Sequence, residues 1–262
     1  MTLLSINGVS KHFKGVRAVN NVSFSMKEGD ILGLIGPNGA GKTTLFNLIA
    51  GAFPLTSGSV IFQGADVTHT KAHAICAMGM VRTFQIVKPF KDLSTLDNVV
   101  IGALLKEKNV EAARSQAMEV LTLLSLDKKA YVDASTLTLP ERKRLEVARA
   151  LATKPKLLLL DEVMAGLRPS EVDEMVEVIL KLNRELGLSF IVIEHVMRAV
   201  MRLSHHMVVL NNGEKIAEGE PAAVSRDPEV LRCYLGDDQD IAPSHQGVAD
   251  DMPAQNCLRR ES

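Results

Sequence analysis

The sequence predicts an α/β fold in which strands and helices alternate, with an all-helical lobe inserted into that alternation. Short apolar runs such as Ile31–Ile35, each followed by a helical pattern, are typical of parallel strands joined by helices. Residues 96–155 carry only helical periodicity, and the alternation resumes with the strand Leu157–Leu160. We therefore predict one domain over residues 1–236, with a helical subdomain at about residues 90–155.

The N-terminal part of the chain predicts an antiparallel β subdomain. In residues 3–26, Val22, Phe24 and Met26 alternate with polar neighbours, which is the period of a half-buried strand. Residues 60–62 form a further short apolar run. We expect this run to close as a strand against the first ones.

The helical lobe contains three groups of apolar residues at helical spacing. They are Val99, Ile101, Leu104 and Leu105; Val110, Ala113, Ala117, Leu121 and Leu124; and Leu145, Ala148, Leu151 and Ala152. Such stripes are typical of helices that bury one face. We therefore predict three helices in the lobe.

The C-terminal part returns to alternating helices and strands. Ser170–Leu186 predicts a helix that follows Pro169, with Ser170 and Asp173 as a capping-box-like start. Phe190–Ile193 predicts the next strand. Asp227-Pro228 opens a last predicted helix.

Composition restricts the classes of function. Lys plus Arg is 30 and Asp plus Glu is 31, and the net charge of −1 argues against a general nucleic-acid binder. Apolar runs stay well short of the roughly 20 residues that span a bilayer, so we expect an intracellular chain that needs a partner for any membrane role. Residues 237–262 are rich in acids, Gln and Pro, which predicts a disordered tail.

Residues 36–44 read Gly-Pro-Asn-Gly-Ala-Gly-Lys-Thr-Thr and fit the pattern GxxxxGK[ST]. Glycines let the backbone curl so that N–H groups point at phosphate oxygens, and the following helix directs its positive end at the same anion. Lys42 is expected to reach the β- and γ-phosphates, and Thr43 to place its hydroxyl on Mg²⁺. A glycine-rich turn without a ligand is the alternative, but it would not require Lys-Thr. The predicted nucleotide-binding residues are Gly36, Asn38, Gly39, Ala40, Gly41, Lys42, Thr43 and Thr44.

Two carboxylates, Asp161 and Glu162, follow a run of four leucines. A strand buried on both faces delivers such residues to the carboxyl edge of a parallel sheet, where ligands bind. Asp161 is therefore a candidate ligand of Mg²⁺, and Glu162 is the candidate general base for the attacking water. A helix cap is the structural alternative for this pair.

Two further polar residues follow apolar segments. His195 comes after the strand Phe190–Ile193, and Gln85 comes after the short apolar segment Met80-Val81. Each is an ordinary structural residue when taken alone. On a sheet edge beside Glu162, His195 could contact a γ-phosphate.

Together these residues resemble the ATP-binding subunit of an ABC transporter over about residues 3–236. Walker A matches GPNGAGKTT, and Walker B matches LLLLDE. The resemblance implies a P-loop NTPase (RecA-like) core that uses ATP and Mg²⁺. It also implies that Gln85 is the Q-loop residue and a magnesium ligand, that His195 is the switch histidine, and that Phe13 stacks on adenine.

Within that family the chain most resembles the branched-chain amino acid (LIV-type) importer ATPases. The segments that carry this likeness are VRTFQIVKPFKDLSTLDNVVIGA, RLEVARAL, EVMAGLRPSEVDEM and NGEKIAEGEP. The likeness implies uptake of branched-chain or related amino acids, amides or urea. It further implies a second ATPase subunit (an identical or a different chain), integral membrane permease subunits, an indirect periplasmic solute-binding protein and a peripheral position on the cytoplasmic face of the inner membrane. Lipopolysaccharide-export ATPases, soluble ABC ATPases and low-activity regulatory nucleotide binders are the alternatives.

Two segments depart from the family pattern. The signature segment, usually LSGGQ, falls on residues 137–141, which read Leu-Thr-Leu-Pro-Glu and lack both central glycines. Thr138 can replace the serine hydroxyl, Pro140 offers no N–H, and the helix is expected to start from Glu141. Arg168 stands where relatives usually carry an acid or Asn. We therefore predict weaker ATP-driven closure of a homodimer.

Overall fold

The computed structural model describes residues 1–83 and 89–235. Its strands are β1 Thr2–Phe13, β2 Val16–Lys27, β3 Ile31–Ile35, β4 Ser57–Phe62, β5 Ala65–Asp66, β6 Met80–Arg82, β7 Leu157–Asp161, β8 Ser189–Ile193, β9 His206–Asn211 and β10 Glu214–Gly219. Its α-helices are α1 Lys42–Ile49, α2 Ala72–Met78, α3 Thr95–Ala103, α4 Val110–Leu123, α5 Leu139–Leu151, α6 Pro169–Leu186, α7 Met197–Leu203, α8 Pro221–Val224 and α9 Pro228–Leu235. The predicted tail from residue 237 lies outside the described residues.

Two sheets form the core, which confirms the predicted fold class. The larger sheet has the order β10-β9-β3-β8-β7-β6, in which β6, β7, β8, β3 and β9 pair in parallel and β10 closes one edge antiparallel. The smaller sheet has the antiparallel order β2-β1-β4-β5. Because β3, β7 and β8 run in the same direction, the loops that follow them meet at one edge of the sheet.

The helical lobe is built by α3, α4 and α5, which pack against each other. The residues expected in α4 and α5 are buried apart from Val110, but the choice of face for α3 was wrong. Ile101, Leu104 and Leu105 are all more than 40% exposed, and α3 ends at Ala103. The buried face of α3 is formed by Leu96, Val99, Val100 and Ala103. Apolar side chains occur on both the buried and the exposed face of α3, so periodicity alone does not identify the buried face.

The start of α6 also differs from the prediction. Pro169 is the first helical residue rather than the residue before the helix, because proline has no N–H to leave unsatisfied and its φ suits the first turn. The carboxylate that caps the helix belongs to Glu171, whose Oε2 accepts the Arg168 N–H at 2.8 Å. Asp173 instead pairs with Arg198 on α7 at 3.1 Å.

Candidate functional site

The phosphate loop joins β3 to α1, and its backbone requires glycine at two positions. Gly36 has φ +148°, and a Cβ there would lie 2.1 Å from the Leu210 carbonyl oxygen. Gly41 has φ +99°, and a Cβ there would lie 2.4 Å from the Ala18 carbonyl oxygen. The glycines therefore allow the loop to pass close to neighbouring backbone.

The loop ends on a helix start that suits an anion. Gly41 is the N-cap of α1 and forms no side-chain cap, and the first turn of α1 contains no acidic residue. The first N–H groups of a helix have no partner within the helix, and their dipoles favour negative charge. The start of α1 thus offers donors to a phosphate.

Lys42 is buried and folded back onto its own loop. Its Nζ donates to the carbonyl oxygens of Gly36 at 2.8 Å and Pro37 at 2.9 Å. Burial lowers the pKa of Lys42, while the nearby charges of Glu162 and Asp161 oppose that shift. These carbonyls occupy two of the three donors of the ammonium group, which leaves one donor for a further acceptor.

A cleft of about 460 Å³ opens over the loop. It brings together predicted residues from three parts of the chain, namely the loop after β3, Glu162 after β7 and His195 after β8. The residues that line it are Val16, Arg17, Ala18, Asn38, Gly39, Ala40, Gly41, Lys42, Thr43, Thr44, Glu162, His195 and Asn212.

Phe13 is not among the cleft-lining residues that the structure describes. Its ring is 41% exposed and packs edge-to-face on Phe53, with centroids 5.9 Å apart. The Lys11 ammonium lies 5.1 Å from the Phe13 centroid. Val16 and Arg17 line the cleft on this side instead, and sequence reasoning missed them. The adenine-stacking role of Phe13 stays a prediction.

Glu162 and His195 contact each other in the cleft. His195 Nε2 lies 2.8 Å from Glu162 Oε1. Glu162 has φ +52°, a left-handed conformation that is uncommon for a residue with a side chain. Its N–H donates to the Ile193 carbonyl at 2.9 Å, which fixes this turn against the end of β8. The two predicted catalytic groups are therefore held together by neighbouring strands.

Asp161 is fully buried beside Arg82, a residue that sequence reasoning did not select. Arg82 Nη2 donates to Asp161 Oδ2 at 2.8 Å. Burial raises the pKa of Asp161, and the hydrogen bond and charge of Arg82 oppose that shift. The other oxygen, Oδ1, has no hydrogen-bond partner among the described residues. An unsatisfied buried carboxylate oxygen is suited to a hard cation such as Mg²⁺.

Lys143 and Glu194 are two further buried charged residues beside the turn at Glu162, and sequence reasoning missed both. Lys143 extends from α5 and donates to the Glu162 carbonyl at 2.8 Å. Glu194 Oε1 accepts the Met164 N–H at 2.8 Å. Burial raises the pKa of Glu194 to about 7, while Met164 and the charge of Lys143 oppose that shift. The helical lobe thus contacts the turn that carries the candidate base.

Thr138 does not line the described cleft. Gln85 lies outside the described residues. Thr138 is exposed and forms the N-cap of α5, which begins at Leu139 and not at Glu141 as predicted. Pro140 fits inside the first turn because that position needs no N–H donor. Glu141 accepts the Thr138 N–H at 2.9 Å.

Among residues 1–83 and 89–235, none of the helices is both long enough and apolar enough to cross a bilayer.

Known protein families match this chain in two places. A family model described as ABC transporter matches residues 19–165, which is more than half of the chain. The chain belongs to the ABC transporter family. A second model, described as Branched-chain amino acid ATP-binding cassette transporter, matches residues 214–240 of this ABC protein.

Individual relatives cover most of the ABC protein. It is 36% identical over 250 residues to the high-affinity branched-chain amino acid transport ATP-binding protein BraF of Pseudomonas aeruginosa, covering 90% of this chain and 98% of BraF. The protein of the same description named LivG, from Escherichia coli, is also 36% identical with the same coverage. These matches confirm the predicted family and an ABC-type ATPase that powers transport.

Solved structures give the same result. The ADP conformation of MJ1267, an ATP-binding cassette of an ABC transporter, superposes with a TM-score of 0.82 at 32% identity, covering 90% of this chain and 99% of that one. The dimeric structure of MJ0796, a bacterial ABC transporter cassette, gives 0.76 at 25% identity, covering 84% and 99%. The chain therefore has the fold of an ABC cassette, and the cleft over its phosphate loop is its predicted nucleotide site. The roles of its individual residues stay predictions.

Proposed function

We propose that this ABC ATPase powers an importer of branched-chain amino acids or of related amino acids, amides or urea. The observation that carries the proposal is the 36% identity to BraF and LivG over 90% of the chain. The branched-chain family match at residues 214–240 supports it independently, because this segment follows the part that matches the general ABC family. The named relatives favour amino-acid import over lipopolysaccharide export.

In the proposed mechanism, the loop holds the triphosphate and Glu162 activates water. The amides of residues 36–44 donate to phosphate oxygens, and Lys42 exchanges its two carbonyl acceptors for the β- and γ-phosphates. Glu162 takes the proton of the attacking water onto its carboxylate. His195 orients that carboxylate through the 2.8 Å contact at Oε1. In this proposal the groups that hydrolyse ATP, Glu162 and His195, follow neighbouring strands of the larger sheet and contact each other at its edge.

The unsatisfied Oδ1 of Asp161 supports a magnesium site. Thr43, Gln85 and Asp161 are the residues proposed to hold the cation. Bound with ATP, Mg²⁺ neutralises charge on the phosphates. Asp161 is the last residue of β7, and Thr43 lies in the first turn of α1, which follows β3. Both therefore lie at the edge of the larger sheet where these parallel strands end.

A second ATPase subunit is the proposed partner, facing this one head to tail. In such a pair the Thr138 segment of one chain approaches the ATP of the other. Here Glu141 occupies the start of α5, and the Arg168 side chain is 84% exposed next to α6. We therefore propose that ATP closes this chain more weakly against a copy of itself than against a different ATPase subunit. Strong positive cooperativity of ATP hydrolysis by the chain alone would contradict this.

Integral membrane permease subunits and, through them, a periplasmic solute-binding protein are the other proposed partners. The chain would then lie peripherally on the cytoplasmic face of the inner membrane. We propose that Ile86, Val87, Pro89 and Phe90, which are apolar and follow Gln85 in the sequence, form the docking edge for the permease. Ile86 and Val87 lie outside the described residues. Phe90 is 46% exposed, and the Arg149 guanidinium lies 4.9 Å from its ring centroid.

Transport in reconstituted vesicles tests the proposal. The chain is purified from membranes with its attached subunits, and uptake of labelled leucine, an amide and urea is measured with ATP. We expect ATP-dependent uptake of at least one of these solutes. ATP-dependent export of lipopolysaccharide, or ATPase activity that no membrane subunit changes, would contradict the proposal.

Two variants assign the chemistry. Glu162→Gln keeps the size of the side chain but cannot take a proton, so we expect turnover to fall by about 10²–10⁴-fold while ATP still binds. Lys42→Ala removes the ammonium group, so we expect ATP affinity itself to be lost. Unchanged hydrolysis in Glu162→Gln would remove Glu162 from its proposed role.

A further inference from the structure

A chain of hydrogen bonds connects Thr43 and Asp161, two of the three residues proposed to hold magnesium. Asn47 Nδ2 donates to the main-chain carbonyl of Thr43 at 2.8 Å. Arg82 Nη1 donates to Asn47 Oδ1, and Arg82 Nη2 donates to Asp161 Oδ2 at 2.8 Å. The chain crosses from α1 through β6 to β7. We call Asn47 and Arg82, with these bonds, the Asn47–Arg82 bridge.

The bridge is protected from solvent at its Asp161 end. The Asp161 side chain is 0% exposed and that of Arg82 is 12% exposed. The planar guanidinium donates from two nitrogens in a fixed geometry, so it defines both the position and the rotation of the groups it contacts. Arg82 occupies Oδ2 and leaves Oδ1 as the carboxylate oxygen without a partner among the described residues. Its hydrogen bond therefore selects which oxygen is available to a cation.

We propose that the Asn47–Arg82 bridge positions Thr43 and Asp161 relative to each other for binding Mg²⁺ with ATP. Asn47 and Arg82 are positioning residues, because they act through Thr43 and Asp161. The inference rests on the proposed magnesium site. Groups that hold metal ligands in place typically change metal affinity by about 10–100-fold when removed.

A simpler reading is that Arg82 only compensates the charge of buried Asp161. The two readings differ in what they require of Asn47, which is uncharged. Charge compensation does not need Asn47, and a lysine could supply it. Positioning needs Asn47 and the forked guanidinium, since a lysine ammonium lacks the planar fork that meets both acceptors.

The test uses the purified full chain and ATP binding rather than turnover. Affinity for ATP is measured in EDTA and in Mg²⁺ for wild type, Arg82→Met, Arg82→Lys and Asn47→Leu. In each variant we expect the affinity in EDTA to stay within about twofold of wild type, and the enhancement by Mg²⁺ to fall by about tenfold or more. Electron paramagnetic resonance of Mn²⁺, used in place of Mg²⁺ with ATP, should show the same loss of bound metal.

Arg198→Met is the matched control. Arg198 pairs with Asp173 on the surface at 3.1 Å and does not line the cleft, so the control should keep the full Mg²⁺ enhancement. If Arg82→Met fails to fold, Arg82→Lys and Asn47→Leu decide the question. Wild-type enhancement in Asn47→Leu, or full rescue by Arg82→Lys, overturns the positioning role. Loss of the Mg²⁺ enhancement in wild type itself would instead remove the proposed magnesium site.

Discussion

Helices α1 and α5 begin in opposite ways. The start of α1 has Gly41 as its N-cap, without a side-chain cap or an acid in the first turn. The start of α5 is closed by Glu141, whose carboxylate accepts the Thr138 N–H at 2.9 Å and pairs with Lys129 at 2.6 Å. An open helix start can take up an anion from solution, whereas α5 has already taken up an anion of its own.

The difference separates two ways of contributing to a nucleotide site. In the proposed site, α1 contributes its N-terminal end, whose main-chain N–H groups can donate to a phosphate. α5 contributes its side, through the Lys143 ammonium that holds the Glu162 carbonyl at 2.8 Å. The segment that lacks the usual signature glycines thus starts its helix in this chain with a capping box.

An acidic residue at the third position of α1, as found in α5, should have the largest effect on ATP affinity. Thr44 holds the third position of α1, which corresponds to Glu141 in α5. In Thr44→Glu a carboxylate lies beside the phosphates, and like charges about 4 Å apart cost several kcal/mol at a protein surface. We expect ATP affinity to fall on the order of 100-fold, measured with a fluorescent nucleotide. Thr44→Gln is the uncharged control, and an equal loss in both variants would attribute the effect to size.

Removing the acid that faces Lys143 should have an intermediate, pH-dependent effect. Burial raises the pKa of Glu194 to about 7 from its ordinary value of 4.5. The groups that act on its carboxyl are Lys143 on α5, the Met164 N–H, Asp161 at the end of β7 and Glu162 after β7. The folded state therefore prefers the protonated form, so this group's contribution to stability is fully present below pH 4.5 and is lost as the pH rises through 7.

Glu194→Gln keeps an acceptor for the Met164 N–H and removes the ionisation. Relative to wild type, the variant should gain about 2 kcal/mol of unfolding free energy between pH 5 and pH 8. Urea unfolding at the two pH values measures this gain. Glu174→Gln, at a carboxylate that is 61% exposed, should show no comparable gain. A pH-independent difference in Glu194→Gln would show that Glu194 ionises normally in the folded protein.

Opening the start of α5 should have the smallest effect. Glu141→Ala removes the acceptor of the Thr138 N–H, and loss of such a cap costs about 1 kcal/mol. We expect that loss in urea unfolding, with unchanged ATP affinity of the isolated chain, since Thr138 does not line the described cleft. A change in ATP affinity would mean that the two helix starts are coupled within one chain.

The parts of the site that depend on local pattern could be predicted from the sequence. The phosphate loop from Gly36 to Thr44 needs only contiguous residues with fixed spacing, and Glu162 and His195 follow apolar strands directly. Sheet topology then brings them together, because parallel strands end at one edge.

The residues that the sequence did not reveal act across long separations. Arg82 meets Asp161 across 79 positions, and Glu194 meets Met164 across 30. A single arginine or glutamate is not part of a periodic sequence pattern. Its contacts therefore become visible only in the folded structure, where the strands are paired. The prediction of the buried face of α3 was wrong for a different reason, because Ile101 and Leu104 are apolar but exposed.

Gly102 has a consequence beyond its own helix. A methyl group there would lie 2.3 Å from the Arg149 carbonyl oxygen, so one hydrogen atom sets how near α3 comes to α5. The same helix carries Asn98, which is fully buried. Asn98 Oδ1 accepts the Phe90 N–H at 2.9 Å, and Asn98 Nδ2 donates to the Phe90 carbonyl at 3.0 Å. A larger distance between α3 and α5 would displace Asn98, and Phe90 would move with it because of these hydrogen bonds. The spacing of α3 and α5 therefore affects the position of Phe90, through the hydrogen bonds of Asn98.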